Sequence, residues 1–264
     1  MLYGICTLSV VPMRKEPSER SEMVSQLLFG ELLWILERQG NWLYTRTALD
    51  DYEGWIDIKQ VTQIGEDFFR YFHTRVNEVV TDMSVQLFDE RERRHILIPA
   101  GSTMPGIRGR VLEINGKRYI LDGDTNRIIL ADRSSLRKYI MEIAMKYLDT
   151  PYLWGGRSPF GLDCSGFVQI VFKICGLKMR RDSSQQAMDG RGLSFLAEAK
   201  PGDLAFFDDK EGRITHVGIL MGDDRIIHCS GKVRIDSIDQ QGIFHKELQR
   251  HTHKLRLIKS YLPE

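Results

Sequence analysis

A segment with almost no polar side, residues 164–175, constrains the fold of this chain more than any other stretch of its sequence. At helical spacing its apolar residues cover nearly every face, so the helix must be buried on all sides in a domain with a sizeable core. A second helical pattern occupies residues 136–148, where apolar residues recur at i, i+3, i+4 and i+7. Ser134 or Ser135 can cap its start, and Pro151 ends it.

Strand patterns make up most of the remaining sequence. Four of them follow the two helices, at residues 204–207, 217–221, 225–230 and 255–261. Helices first and strands afterwards predict an α+β domain over residues 134–264, with the helices packed on an antiparallel sheet. Short strands and glycine-bearing turns earlier in the chain predict two small β-barrels, at residues 1–64 and 65–133. The second contains the hairpin signal Asn115-Gly116.

The charge balance of the chain excludes some classes of partner. Lys and Arg total 37 and Asp and Glu total 36, for a formal net charge of +1, so the chain lacks the basic field of a nucleic-acid wrapper. No run approaches the roughly 20 apolar residues that span a bilayer. We therefore expect partners that include neither nucleic acid nor a membrane. A monomer is our working expectation, which the sequence itself does not decide.

The first residues alternate polar and apolar side chains, without the basic segment or the small-residue cleavage site of a signal peptide. If Met1 is the natural start, this favours a cytoplasmic protein; if the sequence has been trimmed, a periplasmic or surface location stays open. The four cysteines are too few for a disulfide scaffold, and no pair of them has the CxxC spacing of a zinc ribbon. We expect no cofactor and no metal.

Cys164 stands where a glycine-rich loop passes into the buried helix. The N-terminus of a helix favours an anion, typically by ~0.3–1 kcal/mol, and is therefore expected to lower the pKa of this thiol. The free backbone amides at the same terminus can donate to an oxyanion that forms beside the sulfur. Position and chemistry together indicate a nucleophile, although the commonest role of a free cysteine is that of a small buried apolar side chain.

Two histidines stand on neighbouring strand patterns, His216 at the start of one and His228 within the next. A three-residue loop at 222–224 would pair Met221 with Arg225 and bring both imidazoles to one face of the sheet, whereas a two-residue loop would put them on opposite faces. A thiol, an imidazole that takes its proton and a third group that orients the imidazole form the general machinery of a cysteine nucleophile. We expect the thiol sulfur within roughly 3–4 Å of the His216 ring.

Four runs occur in order along the chain: PYLWGGR at 151–157, LDCSGFV at 162–168, PGDL at 201–204 and THVGI at 215–219. These runs resemble the motifs of the NlpC-type family of cell-wall cysteine peptidases, which have a pared-down papain fold, and the two leading β units resemble bacterial SH3 domains. The resemblance implies a papain-like NlpC-type catalytic domain behind two SH3-like barrels. By motif position it also implies Cys164 as nucleophile, His216 as base, His228 as orienting residue and Tyr152 as a residue beside the oxyanion site.

Bacterial SH3 domains ahead of an NlpC-type domain further resemble the γ-D-glutamyl-L-diamino acid endopeptidases, also called dipeptidyl-peptidase VI. Enzymes of this group recycle murein peptides: they hydrolyse the bond between γ-D-Glu and the diamino acid in peptidoglycan stem peptides that have a free N-terminal L-Ala. The resemblance implies a small peptide of this kind as the substrate, and it leaves diaminopimelate and lysine at the cleaved position equally open.

A free N-terminal ammonium must be met by hydrogen-bond acceptors, preferably by a carboxylate. Asp163, next to the nucleophile, is one candidate, although it can also cap its own helix. Ser165 and Ser183 can bind the α-carboxylate of D-Glu, and Ser183 also has the capping-box spacing to a glutamine. The resembling enzymes use their first SH3 domain as a gate that supplies an acid and a tyrosine to the ammonium, for which Glu16 and Tyr52 are the candidates.

Other functions remain open on the same residues. An amidase or acyltransferase would use the same Cys-His-His scaffold, and a wall-peptide-binding protein would carry the catalytic domain in an inactive form. A zinc site at Cys164, His216 and His228 is a third alternative. His251 and His253 also alternate on one strand face, but no further ligand spacing accompanies them. A poised thiolate would react fast with iodoacetamide near neutral pH, which separates the enzyme from the binding protein.

Overall fold

The computed structural model describes residues 2–123, 125–126 and 135–262. The chain forms two compact units: unit 1 comprises Met1–Ile128 and Trp154–Pro159, and unit 2 comprises Ile129–Leu153 and Phe160–Glu264. The predicted boundary at 133/134 and the candidate cap Ser134 lie outside the described residues. Within the described ranges no helix is long and apolar enough to cross a membrane.

Unit 1 is built almost entirely of short strands, as the turn-rich sequence predicts. Its strands are β1 (Leu2–Ile5), β2 (Val10–Arg14), β3 (Met23–Leu28), β4 (Leu32–Gln39), β5 (Trp42–Thr47), β6 (Glu53–Asp57), β7 (Thr62–Ile64), β8 (Glu78–Val80), β9 (Ser84–Asp89), β10 (Arg94–Pro99), β11 (Thr103–Met104), β12 (Val111–Ile114), β13 (Lys117–Asp122), β14 (Thr125–Asn126) and β15 (Arg157–Ser158). One helix, α1 (Glu66–His73), follows the first seven strands.

The first seven strands form one sheet in the order β3-β2-β6-β5-β4-β1-β7. The later strands form a four-stranded sheet, β10-β9-β13-β12, and a three-stranded sheet, β11-β8-β14. Asn115 and Gly116 join β12 to β13 with φ angles of 49° and 72°. Positive φ at both central residues defines the type I′ turn, so the predicted hairpin is confirmed.

A single cluster of buried apolar side chains joins the first sheet of unit 1 to the strands that follow it. Ile5 and Phe29 of the early part and Leu87 and Ile98 of the later part belong to it. Phe69 of α1 lies in the same cluster, 4.6 Å from the ring of Tyr3 between centroids. Phe68, Phe69 and Phe72 of α1 therefore pack against this core and join the two halves of unit 1.

The segment Trp154–Pro159 carries part of the glycine-rich motif and folds into unit 1. Its Arg157 is only 1% exposed and its guanidinium lies 3.0 Å from the carboxylate of Glu31. The same guanidinium donates to the carbonyl oxygen of Gln26 at 2.6 Å, and Trp154 Nε1 donates to Glu22 Oε1 at 2.8 Å. A buried arginine requires such partners, so these contacts fix the segment against the first sheet.

Unit 2 begins with helices and continues with strands. Its elements are α2 (Leu136–Lys146), β16 (Gly161–Leu162), α3 (Cys164–Ile174), α4 (Ser183–Gln186), β17 (Arg191–Leu193), β18 (Leu204–Asp208), β19 (Ile214–Gly222), β20 (Arg225–Ser230), β21 (Lys232–Ile238), β22 (Gly242–His245) and β23 (Arg250–Ser260). The predicted α+β architecture is confirmed. Ser135 occupies the N-cap position of α2, one of the two predicted places for the cap, without a side-chain capping bond.

The sheet of unit 2 closes on itself. Its order is β17-β23-β18-β19-β20-β21-β22, and β22 pairs back with β23. A core cluster inside this ring includes Phe207, Leu220, Ile226 and Ile243. Every residue of α3 is buried, and the helix contacts β19, β20 and α2. The predicted buried helix is thus confirmed, and its N-terminus is positioned by two neighbouring strands.

Candidate active site

Cys164 is the first residue of α3, and Asp163 is the N-cap of this helix. The Asp163 carboxylate accepts a 2.7 Å hydrogen bond from the backbone N–H of Gly166, which satisfies one free donor at the helix start. Cys164 is 7% exposed. Its thiol donates to the carbonyl oxygen of Thr215 at 4.0 Å, and the backbone N–H of Val217 also faces the sulfur.

The thiol therefore lies beside both backbone neighbours of His216. It reaches them because β19 pairs with β20 only from Gly218 onward, so the strand edge at residues 215–217 is left to the start of α3. The direct approach of the sulfur to the His216 ring stays a prediction. The backbone contacts fix the position of the Cys164 thiol relative to the start of β19.

His216 and His228 lie on one face of the sheet, as predicted, but the turn between their strands differs from the predicted three-residue loop. The turn has only two residues, Asp223 and Asp224, with φ angles of 51° and 53°, between the paired residues Gly222 and Arg225. A bulge between Leu220 and Gly222 then shifts the register by one residue, so that Gly218 pairs with His228. A two-residue turn alone would separate the imidazoles, and the bulge restores them to one face.

The two imidazoles form the first link of a hydrogen-bonded chain. His216 Nε2 lies 2.9 Å from His228 Nδ1, and His228 Nε2 lies 3.0 Å from Oδ2 of Asp236 on β21. Arg234, directly opposite His228 on β21, lies 2.8 Å from the same carboxylate through Nε and donates to its second oxygen at 2.9 Å through Nη2. The Asp236 carboxylate is thus the last group of the hydrogen-bonded chain, and it is paired with the Arg234 guanidinium.

This chain fixes the tautomers of both rings. A carboxylate only accepts, so His228 donates from Nε2 and must accept at Nδ1. His216 consequently donates from Nε2 to His228, which leaves the lone pair on Nδ1 of His216. Nδ1 is therefore the nitrogen that can take a proton from a thiol. Because His228 is oriented by a charged partner, it can in turn orient His216.

Glycine at position 218 gives the imidazole pair its room. Gly218 lies opposite His228, and a Cβ there would meet the Cβ of His228 at 2.8 Å and the Ile226 side chain at 2.7 Å. The backbone around Gly218 has no positive φ, so the requirement is one of space rather than of conformation. The THVGI run therefore includes a residue whose missing side chain permits the chain of imidazoles.

Burial keeps the imidazoles neutral. Burial lowers the pKa of His216 well below its ordinary value, and the neighbouring His228 and His253 lower it further. Burial also lowers the pKa of His228, against the opposing pull of Asp236. Burial alone would raise the pKa of Asp236, but its bonds from His228 and Arg234 outweigh that effect and hold its pKa below the usual range. These shifts favour an unprotonated imidazole at His216 and an ionised carboxylate at Asp236.

The predicted lowering of the pKa of Cys164 is wrong for the free protein. Burial raises the pKa of the Cys164 thiol to about 12, and the adjacent carboxylate of Asp163 adds to the rise. Donors from the backbone of Val217 and Ser165 and the charge of Arg181 act in the opposite direction but do not compensate. Burial thus acts on both groups in the same sense: it favours a neutral thiol at Cys164 and a neutral imidazole at His216.

Alkylation of Cys164 by iodoacetamide is accordingly expected to be slow near neutral pH. The thiolate is the reactive form, so the labelling rate should rise about tenfold per pH unit from pH 7 to about pH 10. Labelling is followed by mass spectrometry of the intact protein, with Cys164→Ala as control, because the other three cysteines are fully buried. A fast rate that is already constant below pH 8 would instead indicate a thiolate–imidazolium pair and contradict this assignment.

Asp163 and Ser165 form a buried cluster with an arginine that sequence reasoning missed. Arg181 is 1% exposed and donates to both carboxylate oxygens of Asp163, at 3.0 and 2.6 Å. It also donates to Ser165 Oγ at 3.0 Å. The role of Asp163 and Ser165 in binding substrate stays a prediction; what the geometry adds is that the charge of Asp163 is already paired.

Ser183 is not the cap of α4, contrary to its capping-box spacing. Asp182 is the N-cap, and the capping box runs from Asp182 to Gln185, one residue earlier than predicted. Ser183 is the first helical residue and is buried. Gln186, the predicted end of the box, instead donates from Nε2 to the carbonyl oxygen of Ser165 at 3.1 Å, which links α4 to the start of α3.

The remaining candidates lie in both units. Tyr152 of unit 2 is 37% exposed; burial raises the pKa of its hydroxyl, with Cys164 and Asp163 adding to the rise, so it stays protonated and can donate. In unit 1, Glu16 is exposed and Tyr52 is half-buried against the core of the first sheet. The substrate-binding roles of these residues stay predictions. In the described part of the chain no three His, Cys, Asp or Glu side chains form a group that could hold a metal ion.

Two segments of the chain match known protein families. Residues 149–253 match the profile of the NlpC/P60 family, and residues 13–61 match the bacterial dipeptidyl-peptidase Sh3 domain. The chain is 28% identical over 262 residues to the γ-D-glutamyl-L-lysine dipeptidyl-peptidase of Bacillus subtilis, covering 93% of this chain and 81% of that protein. It is 24% identical over 259 residues to dipeptidyl-peptidase 6 of Lysinibacillus sphaericus, covering 86% and 88%.

A solved structure shares the whole fold. The crystal structure of an NlpC/P60 family protein from Bacillus cereus superposes with a TM-score of 0.81 over 99% of this chain and 100% of its own, at 18% identity. The match to the NlpC/P60 family and the similarity to dipeptidyl-peptidases along most of the chain identify it as a cysteine peptidase. It carries an NlpC/P60 catalytic domain preceded by a bacterial dipeptidyl-peptidase SH3 domain.

Proposed function

We propose that the protein hydrolyses the bond between γ-D-Glu and the L-diamino acid of peptidoglycan stem peptides that have a free N-terminal L-Ala. The observation that carries the proposal is the hydrogen-bonded chain from His216 through His228 to Asp236, beside the thiol of Cys164. Two relatives that align with most of this chain bear dipeptidyl-peptidase names, and one of these names includes γ-D-glutamyl-L-lysine. Murein recycling is the process in which we place the activity.

In the proposed reaction the sulfur of Cys164 attacks the γ-carbonyl carbon of D-Glu. Its proton passes to Nδ1 of His216 as the S–C bond forms, and the carbonyl electron pair becomes an oxyanion. The backbone amide at the start of α3 and the hydroxyl of Tyr152 are the donors proposed for that oxygen. A neutral thiol suits this order of events, because charge then develops only in the transition state, where these donors act on it.

The tetrahedral intermediate then breaks down to a thioester. The C–N bond breaks, and His216 returns the proton to the amine of the diamino acid, which leaves. A water molecule attacks the thioester while His216 takes one of its protons, and collapse releases L-Ala-γ-D-Glu and the Cys164 thiol. The Asp236 carboxylate stabilises the imidazolium through His228 at both stages, and it does so without being protonated itself.

The proposal is tested with four peptides: L-Ala-γ-D-Glu-L-Lys, its diaminopimelate analogue, and the N-acetylated form of each. We expect cleavage of the two free-amine peptides to L-Ala-γ-D-Glu and the diamino acid, detected by chromatography and mass spectrometry. The ratio of kcat/KM between the two tells which diamino acid is preferred. Equal cleavage of the acetylated forms would refute the free-amine requirement, and cleavage of none of the four would refute the proposed function.

A further inference from the structure

A third imidazole covers one face of the His216 ring. The rings of His253, on β23, and His216 are stacked, with centroids 4.2 Å apart and an angle of 28° between their planes. His228 meets His216 edge-on, at 5.1 Å and 89°, and Phe207 is tilted against it at 5.7 Å and 48°. Three strands thus enclose the proposed base, and His253 is the residue that lies flat on it.

His253 is itself held in place. It pairs across the sheet with Ile243, which belongs to the core inside the closed sheet, and its Nδ1 lies 2.9 Å from the hydroxyl of Thr252. The same residue lines a surface cavity of about 460 Å³ together with its strand neighbours and Gln240 and Gln241. His253 therefore contacts both this cavity and the ring of the proposed base.

His253 covers the base without adding charge. Burial lowers the pKa of His253 to about 4, so its ring is neutral near neutral pH. A neutral ring excludes water from His216 and does not repel the imidazolium that forms there during the reaction. A lysine or a charged histidine in this place would oppose proton transfer to the base.

We propose that His253 is a positioning residue: it fixes the ring plane in which His216 Nε2 meets His228, and it closes one face of the base to water. This inference rests on the proposed role of His216 as base. The four NlpC-type runs in the sequence end at residue 219, so none of them includes His253.

The titratable groups around His216 come from four elements: His228 on β20, His253 on β23, Cys164 on α3, and Asp236 and Arg234 on β21 through His228. His245 on β22 acts on His228 and His253 electrostatically. The residues of α4 include no titratable side chain. His253 is the member of this set that can be replaced without breaking the hydrogen-bonded chain or removing the nucleophile. Its effect on the base can therefore be measured alone.

The test compares His253→Ala, His253→Phe and His251→Ala in the full-length protein. His251 lines the same cavity but pairs with Asp239 at 2.9 Å, so it is the matched control. Opening one face of His216 to water raises its pKa. The acid limb of the kcat/KM profile should then move up by about one pH unit in His253→Ala. Loss of alignment should lower the plateau by about tenfold or more.

His253→Phe keeps a flat ring and should restore the acid limb to the wild-type position, whereas His251→Ala should leave both limb and plateau unchanged. An unmoved acid limb in His253→Ala, or the same shift in His251→Ala, would overturn the inference. NMR titration of the imidazole protons of His216 in the wild type and in His253→Ala reads the same pKa without substrate. It therefore separates a failure of this inference from a failure of the proposed function.

Discussion

Replacement of Cys164 by alanine is expected to abolish peptide hydrolysis, lowering kcat by at least about 10⁴-fold while the protein stays folded. Without the sulfur no thioester can form, and the chain from His216 to Asp236 then has no proton to accept. The fold should persist because the helix start is capped by Asp163, and the thiol itself contributes one long hydrogen bond of 4.0 Å. The measurement is kcat on L-Ala-γ-D-Glu-L-Lys, with circular dichroism and thermal unfolding as checks of the fold.

Cys175→Ala is the matched control for this variant. Cys175 is the C-cap residue of the same helix and is fully buried, so its replacement removes the same atoms from the same element. It should cost roughly 1 kcal/mol of stability through the small cavity left behind, yet leave kcat near the wild-type value. Residual activity in Cys164→Ala, or an equal loss in Cys175→Ala, would show that the nucleophile lies elsewhere.

The elements that carry the site could be predicted because each has a local signature. Apolar residues on all faces predict the buried helix, and the glycine-rich loop before it predicts its start at Cys164. The strands of His216 and His228 are visible as short apolar runs around a turn. These patterns involve residues only a few positions apart, so they can be recognised from the sequence without knowledge of the fold.

The geometry within the site depends on register, which the sequence carries less clearly. The two histidines reach one face through a two-residue turn and a bulge, a combination that gives the same parity as a three-residue loop. No residue pattern marks the bulge between Leu220 and Gly222. The sequence pattern therefore predicts the correct face for the two histidines but the wrong length for the turn between their strands. The contact between Asp236 and His228 depends on the register of β21 against β20. Arg234 lies directly opposite His228, and Asp236 lies two residues further along β21.

The burial of a side chain, which decides the direction of its pKa shift, is the second property that the sequence does not reveal. The start of a helix predicted a lowered pKa for Cys164, worth at most about 1 kcal/mol at an ordinary terminus. Removal of the thiol from water by the surrounding residues outweighs this term and reverses the direction of the shift. Likewise His253 is far from Cys164 in sequence, and only the assembled sheet, in which β18 lies between β23 and β19, brings it onto His216.

Replacement of Arg181 by methionine is expected to destabilise the catalytic unit by about 3–5 kcal/mol. The guanidinium is 1% exposed and donates to both oxygens of Asp163, so its loss leaves a buried carboxylate without its cation at the start of the catalytic helix. For a chain of this size the fall in Tm should be about 6–20 °C, at roughly 2–4 °C per kcal/mol. Differential scanning calorimetry and urea unfolding measure it.

Arg180→Met is the matched control, one residue away in sequence. Arg180 forms an exposed ion pair with Asp189 at 2.9 Å, and such pairs contribute at most about 1 kcal/mol. The double variant Asp163→Asn with Arg181→Met removes both charges and should recover part of the lost stability, because no ion is then left buried and unpaired. Equal stability of the Arg180 and Arg181 variants, or a double variant less stable than Arg181→Met alone, would mean that Asp163 does not depend on Arg181 for its charge. The helix start would then owe its position to packing instead.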